Sequence, residues 1–153
     1  MPRPTRPPVG LALARTAKGV SRAFDDVLAA EGGSLPMWLI MISLKTHSLG
    51  NQRELAEAVG IRSATLTHHL NAMEADGLVT RQRDPANRRI HQVELTERGE
   101  TLFRRLASAA FAHDQRLRTG FSEEEIAMLE QLLSRLHHNV NVETGDPAPR
   151  SDA

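Results

Sequence analysis

The spacing of apolar residues shortens over one stretch of this chain, and that change limits the folds open to it. Up to Ala75 the apolar side chains recur every three or four positions, as they do on one face of a helix. After Asp76-Gly77 the period falls to two, in the segments 79–83 and 90–95, and the turn-rich residues 84–89 separate them. The sequence therefore predicts a mainly α protein with one small β-hairpin.

Two short helices precede the hairpin, and a glycine separates them. Asn51 followed by Glu54 is typical of a capping box, which starts a helix that runs to Ala58. Gly60 can adopt the positive φ that a sharp turn between helices requires. The next helix is predicted over 63–75, with three apolar residues on one face: Leu66, Leu70 and Met73.

Longer helices flank this core. They are predicted over 9–30, over a second helix that has Pro36 in its first turn and continues through the strongly apolar segment 37–44, from a Thr96 cap to about Thr119, and from a Ser122 capping box to about residue 142. Residues 1–8 hold four prolines and are predicted to be an irregular arm, and the tail 143–153 is predicted to be disordered. We expect a single domain over 9–142, with its core at about 49–99 and flanking helices at 9–31 and 100–142.

Composition excludes several classes of function. The chain has no Cys, so disulfides, thiolate catalysis and Cys-ligated zinc are excluded. It lacks the common nucleophile-elbow, phosphate-loop and dinucleotide-binding motifs and a paired-carboxylate arrangement, so we expect no enzyme activity and no cofactor. No stretch approaches the roughly 20 apolar residues that span a bilayer, so we expect a cytoplasmic protein with no membrane partner.

The formal net charge is zero, yet the charges are unevenly distributed. Residues 1–24 hold five basic residues and no acid, whereas residues 121–153 hold seven acids against two arginines. The densest basic segment is 81–89, with four arginines and one aspartate. Such a segment is often a solvated hairpin, so its meaning depends on its neighbours.

The neighbours of the basic hairpin favour a nucleic-acid partner. If Leu66, Leu70 and Met73 hold the helix to the domain, then Thr65, His68, His69 and Ala72 lie on the opposite side, where they suit a major groove. Arg62 at the helix entrance suits a phosphate, and the hairpin arginines suit the adjacent minor groove. The predicted DNA contacts are Arg62, Ser63, Thr65, Thr67, His68, His69, Arg83, Arg88 and Arg89.

These residues also carry a resemblance to a known family. The segment QRELAEAVGIRSATLTHHLNAMEADGLVTRQRDPANRRIHQVELTERG resembles the winged helix-turn-helix core of the MarR family of bacterial transcriptional regulators. The turn L-x-x-x-x-G-I, the helix end L-x-x-M-E-x-D-G-L-V, the wing D-P-x-x-R-R and the junction L-T-x-x-G stand in the family's order and spacing. The resemblance implies that 63–75 is the recognition helix and that Arg88 or Arg89 is the wing-tip arginine.

One residue of the wing departs from the family pattern. The family commonly has a second aspartate before the arginine pair, where this chain has Asn87. Asparagine still accepts a hydrogen bond but carries no charge. Which arginine is held by this side chain and which enters the groove therefore stays open.

The resemblance implies that the flanking helices form a dimer interface, so we expect a homodimer. One recognition helix reads only a few base pairs, so two helices related by a twofold axis are needed on a pseudo-palindromic operator. The oppositely charged ends would attract if they met across subunits, although they are equally consistent with unrelated surface features. The resulting prediction is a transcriptional regulator, with repression as the expected mode.

A small-molecule effector is also implied by the resemblance, because aromatic acids often lodge between the dimerisation helices and the DNA-binding lobe in this family. Trp38, Met41, Ile42 and Phe111 would line such a pocket, with Arg22 facing an anionic ligand. The alternative for Trp38, the only tryptophan, is simple core packing.

Two alternative functions remain open from the sequence. Seven histidines suggest a metal- or pH-responsive regulator, but the pairs His68-His69 and His137-His138 are adjacent and point in different directions on a helix. His47 or His113 would be the residues for a pH response. The other alternative is an architectural DNA-binding protein without sequence preference or effector.

Overall fold

The computed structural model describes residues 6–46, 51–83, 85–86 and 91–142, including all side chains in these ranges except those of His91 and Val142. Most of the predicted arm, the predicted tail, His47 and the wing-tip residues Asn87, Arg88 and Arg89 lie outside the described residues. The chain divides into two compact units, Met1–Asp114 and Gln115–Ala153. The domain bounds given above stay a prediction.

The described residues form six α-helices and one two-stranded antiparallel sheet, which confirms the predicted fold class. In chain order the elements are α1 (Val9–Ala30), α2 (Leu35–Thr46), α3 (Gln52–Val59), α4 (Ser63–Ala75), β1 (Val79–Arg83), β2 (His91–Leu95), α5 (Glu97–Leu117) and α6 (Glu123–Val142).

Local capping explains where the helices begin and end. The Ser34 hydroxyl accepts a hydrogen bond from the Met37 amide, and α2 starts at Leu35 with Pro36 in its first turn, as predicted. Ser122 and Glu125 form the predicted capping box, since each backbone amide donates to the other's side chain. Helix α5 ends at Leu117 rather than Thr119, before a turn in which Gly120 has a φ of 85°.

The buried core lies in the first unit and draws on all its elements except β2. Leu28 of α1, Ile40 and Met41 of α2 and Leu106 of α5 have no exposed surface. The other buried apolar residues are Leu55 and Ala56 of α3, Leu66, Leu70 and Met73 of α4, and Leu78 and Val79 at the start of the hairpin. The helix-turn-helix and the long helices therefore share one core.

A tight backbone junction joins the start of α5 to the α4–β1 connection. The Thr96 amide donates to the Leu78 carbonyl, and the Thr96 hydroxyl donates to the Gly77 carbonyl. The same hydroxyl accepts from the Gly99 amide and so caps α5. A side chain at Gly99 would collide with the Leu78 carbonyl oxygen, so only glycine permits this close approach.

In the described part of the chain, no single helix is both long and apolar enough to cross a membrane. Helices α1 and α2 meet that test only as a pair, and the pair is bent by 79°.

Replacing Gly99 by Ala should lower the free energy of unfolding by about 2 kcal/mol, because the added methyl group meets backbone that cannot rotate away. The matched control is Gly19→Ala in the exposed part of α1, where nothing lies within 4 Å of an added Cβ. That variant should gain about 0.5–1 kcal/mol from helix propensity. Urea denaturation measures both, and equal effects at the two glycines would contradict the close approach.

Candidate nucleic-acid interface

The turn between α3 and α4 has the geometry that a helix-turn-helix requires. The Asn51 side chain accepts from the Glu54 amide at 3.1 Å and caps α3 as predicted. Gly60 has a φ of 77°, and the Gly60 and Ile61 amides both donate to the Ala56 carbonyl. These bonds complete the end of α3 and turn the chain directly into α4.

Helix α4 is anchored on one side and open on the other. Leu66, Leu70 and Met73 are at most 1% exposed and hold the helix to the core. The predicted contacts on α4 lie outside that stripe: Ser63, Thr65, Thr67 and His68 are exposed and His69 is half-buried. The structure therefore brings these five residues together on the accessible surface of one helix.

The electrostatics at the start of α4 suit an anion. Arg62 is exposed at the N-cap position, and the first turn of α4 holds no acidic residue. The partial positive charge of the helix N-terminus is therefore not offset there by a carboxylate. Thr67 donates its hydroxyl proton to the Ser63 carbonyl at 2.9 Å, which leaves the Thr67 oxygen able to accept from a ligand.

The hairpin follows α4 directly and has a fixed register. Val79 pairs with Leu95 and Arg83 pairs with His91, so the strands are antiparallel. Arg83 is exposed at the far end of β1. Arg81, two residues earlier, is largely covered and ion-paired with Glu74 of α4, so it differs from Arg83.

The five predicted effector residues lie in different environments in the structure. Met41 lies in the core with no exposed surface, whereas Phe111 is 66% exposed. Trp38 stacks on Phe103, with ring centroids 5.8 Å apart and planes 12° from parallel, and not on Phe111. Ile42 is half-buried and Arg22 is exposed. Of this set, Trp38 alone has an aromatic partner on α5 among the described residues.

The sequence did not predict the roles of three residues in this region: Phe24, Lys45 and Phe103. The signal for Phe103 is its spacing along α5, because Phe103, Leu106, Ala110 and His113 recur every three or four residues. Lys45 places its ammonium 5.7 Å from the centroid of the Phe103 ring. Phe24 stacks on the buried His113 at 5.4 Å. Neither ring nitrogen of His113 has a hydrogen-bond partner among the described residues, which costs about 1–3 kcal/mol relative to a paired group.

A separate cavity of about 700 Å³ lies in the first unit. Its walls come from the α1–α2 connection, Met37 of α2, the α4–β1 connection and the first half of α5, including Arg98 and Arg105. None of the five predicted effector residues lines it.

The histidines show no metal centre in the described ranges. There, no three His, Asp or Glu side chains lie close enough together to hold a metal ion. The His68 and His69 rings meet edge to face at 5.7 Å on the surface of α4.

Comparison with known proteins identifies this arrangement. The pattern that defines the MarR family matches residues 34–91. The transcriptional regulator PA3341 is 31% identical, with a TM-score of 0.69 over 86% of this chain and 97% of PA3341. The repressor CouR, bound to a 23-mer DNA duplex, is 27% identical, with a TM-score of 0.75 over 85% of this chain and 92% of CouR.

A third structure shares the fold alone. BpsR of Bordetella bronchiseptica is 21% identical, with a TM-score of 0.74 over 90% of this chain and 98% of BpsR. Together with the geometry of α3, α4 and the hairpin, these matches define a transcriptional regulator of the winged helix-turn-helix class. The chain belongs to the MarR family, as the resemblance in its sequence implied. Members of this family are transcription regulators and not enzymes.

Proposed function

We propose that this protein is a homodimeric repressor that binds a pseudo-palindromic operator and is released from it by a small aromatic, anionic ligand. The observation that carries the proposal is the open surface of α4, with exposed hydroxyl and imidazole side chains and no acid in the first turn. The 23-mer DNA duplex bound to the related repressor CouR supports it.

In this proposal, each residue of the interface has a role set by its place. Arg62 and Ser63 bind phosphate at the N-terminus of α4, where the helix dipole favours an anion. Thr65, Thr67, His68 and His69 contact base edges in the major groove. Arg83 binds backbone phosphate, and Arg88 and Arg89 supply the minor-groove contact.

The dimer is supported by apolar surface that each unit leaves uncovered. In α1 the exposed apolar residues include Val9, Leu11 and Val20, and in α6 they include Leu129 and Leu133. Helices with this much exposed apolar surface are typical of an interface with another chain. The basic N-terminal segment and the acidic C-terminal segment would add attraction between subunits.

Ligand release is supported by two relatives and by the aromatic pairs on α5. A second structure of CouR, from Rhodococcus jostii RHA1, holds p-coumaroyl-CoA, and 6-hydroxynicotinic acid regulates DNA binding by BpsR. In this chain Trp38 stacks on Phe103 and Phe24 stacks on His113, so α5 contacts both α1 and α2 through aromatic rings. An aromatic ligand that inserts at either pair would displace α5.

Selection from a random duplex pool tests the specific-regulator proposal directly. We expect recovery of an inverted repeat whose half-sites lie about one helical turn apart, since two α4 helices must reach successive major grooves. Thr65→Ala should relax the preference at one position of each half-site at a cost of about 1–3 kcal/mol. Recovery of unrelated sequences, with affinity set almost wholly by salt, would instead identify an architectural DNA-binding protein.

The dimer is tested at α6, where Leu133 is exposed and apolar. Leu133→Glu should give a monomer in sedimentation velocity and weaken operator binding by more than about 100-fold, because the two half-sites no longer bind as one unit. The matched control is Gln131→Glu, which adds the same charge at an exposed polar position of the same helix. A dimeric Leu133→Glu variant would place the interface elsewhere.

The effector is tested by following Trp38, the only tryptophan, during titration with 6-hydroxynicotinic acid and with p-coumaroyl-CoA. We expect the compound that releases operator DNA to change Trp38 fluorescence with the same midpoint, because the Trp38–Phe103 stack is disturbed. Phe103→Leu should shift both midpoints together. Release of DNA without any change in fluorescence would exclude the Trp38 site and point to the charged cavity beside Arg98 and Arg105.

A further inference from the structure

Arg81 lies in the most basic segment of the chain, yet its charge is already matched within the protein. Its side chain is 19% exposed, and its guanidinium forms an ion pair with Glu74. Nε donates to Glu74 Oε2 at 3.1 Å, and Nη2 donates to the same oxygen and, at 2.7 Å, to Asn71 Oδ1. Arg81 is therefore held by two residues of α4.

The position of these three residues joins the wing to the helix that carries the predicted base contacts. Asn71 and Glu74 are three residues apart, so they lie on one side of α4, next to the buried stripe and away from Thr65. Arg81 is the central residue of β1, where it pairs with Val93 of β2. The alternation of a strand puts Arg81 on the same face as buried Val79 and exposed Arg83.

We propose that Arg81 is a positioning residue that sets the angle of the wing relative to α4 and does not itself bind DNA. This inference rests on the proposed function, because the angle matters only if α4 and the wing contact one duplex at the same time. The hairpin has only two strands, and such a ribbon is weakly fixed on its own. The Arg81 contacts hold the middle of β1, so Arg83 is presented at a defined distance from α4.

The proposal requires arginine and not merely a cation. The planar guanidinium donates in two directions at once and so reaches both Glu74 and Asn71, whereas a lysine ammonium is a compact charge that cannot reproduce this fork. Arg83, two residues further along the same face, has no acidic partner among the described residues and suits the opposite role of a phosphate ligand.

A set of four variants separates the two roles. The variants are Arg81→Lys, the double variant Arg81→Gln with Glu74→Gln, Arg83→Lys and Arg83→Gln. The double variant keeps the net charge of the wild type, so a loss of affinity in it reports geometry and not charge. Binding to the selected operator and to an unrelated duplex is measured at several salt concentrations, together with thermal unfolding.

We expect both Arg81 variants to bind the operator about tenfold more weakly with an unchanged salt slope and unchanged binding to the unrelated duplex. Arg83→Gln should weaken binding to both duplexes and lower the slope by about one, whereas Arg83→Lys should resemble the wild type. A slope lowered by Arg81→Gln/Glu74→Gln, or wild-type affinity in Arg81→Lys, would overturn the proposal.

Hydrogen exchange in the free protein keeps this test independent of the proposed function. Without DNA, the β1 and β2 amides of the Arg81 variants should exchange about tenfold faster than in the wild type, while the core of α4 stays protected. If the wild type binds no DNA but the wing amides respond in this way, the proposed function fails and the role of Arg81 in holding the wing stands. Unchanged exchange in the wing would overturn that role itself.

Discussion

The exposed face of α4 depends on the burial of three apolar side chains of the same helix. Leu66, Leu70 and Met73 are fixed in the core shared by α1, α2, α3, β1 and α5. Burial of a side chain of this size contributes roughly 1.5–3 kcal/mol, far more than any contact on the exposed face supplies before a ligand binds. The rotation of α4 about its axis is thus set from inside the protein, and this rotation places the polar residues on its outer side.

Two further connections extend this fixed geometry beyond α4. The Thr96 hydrogen bonds and the close approach of Gly99 to Leu78 tie the start of α5 to the connection between α4 and β1. The ion pairs Lys45–Glu100 and Arg105–Glu31 also link α5 to its neighbours, but they are partly exposed and contribute little. A displacement of α5 would therefore be transmitted to α4 and the hairpin through buried backbone contacts. The partly exposed ion pairs would move with α5.

Local signals predicted the elements well and the contacts between elements poorly. The bounds of α1, α4 and β1, the Asn51 cap, the Ser122 capping box and the turn at Gly60 all follow from interactions within a few residues, which the sequence displays directly. The stacking of Trp38 on Phe103 and the pairing of Arg81 with Glu74 depend on how helices and strands meet, which spacing along the chain does not encode. The predicted base contacts on α4 lie outside its buried stripe, because one periodicity sets both the buried and the accessible side of a helix. The predicted effector residues come from three helices, whose contacts spacing along the chain does not encode.

Contacts between elements also explain why a net charge of zero is a poor guide to this molecule's partner. Arg81, Arg53 and Arg118 each face a carboxylate and add little positive potential, although they count fully in the sum. Arg62 and Arg83 have no acidic partner among the described residues, and Arg62 stands at a helix N-terminus free of acids in its first turn. Because salt screens exposed charges beyond about 8–10 Å, a phosphate responds to the unpaired charges near it and not to the total. An overall neutral chain can therefore present a locally cationic surface.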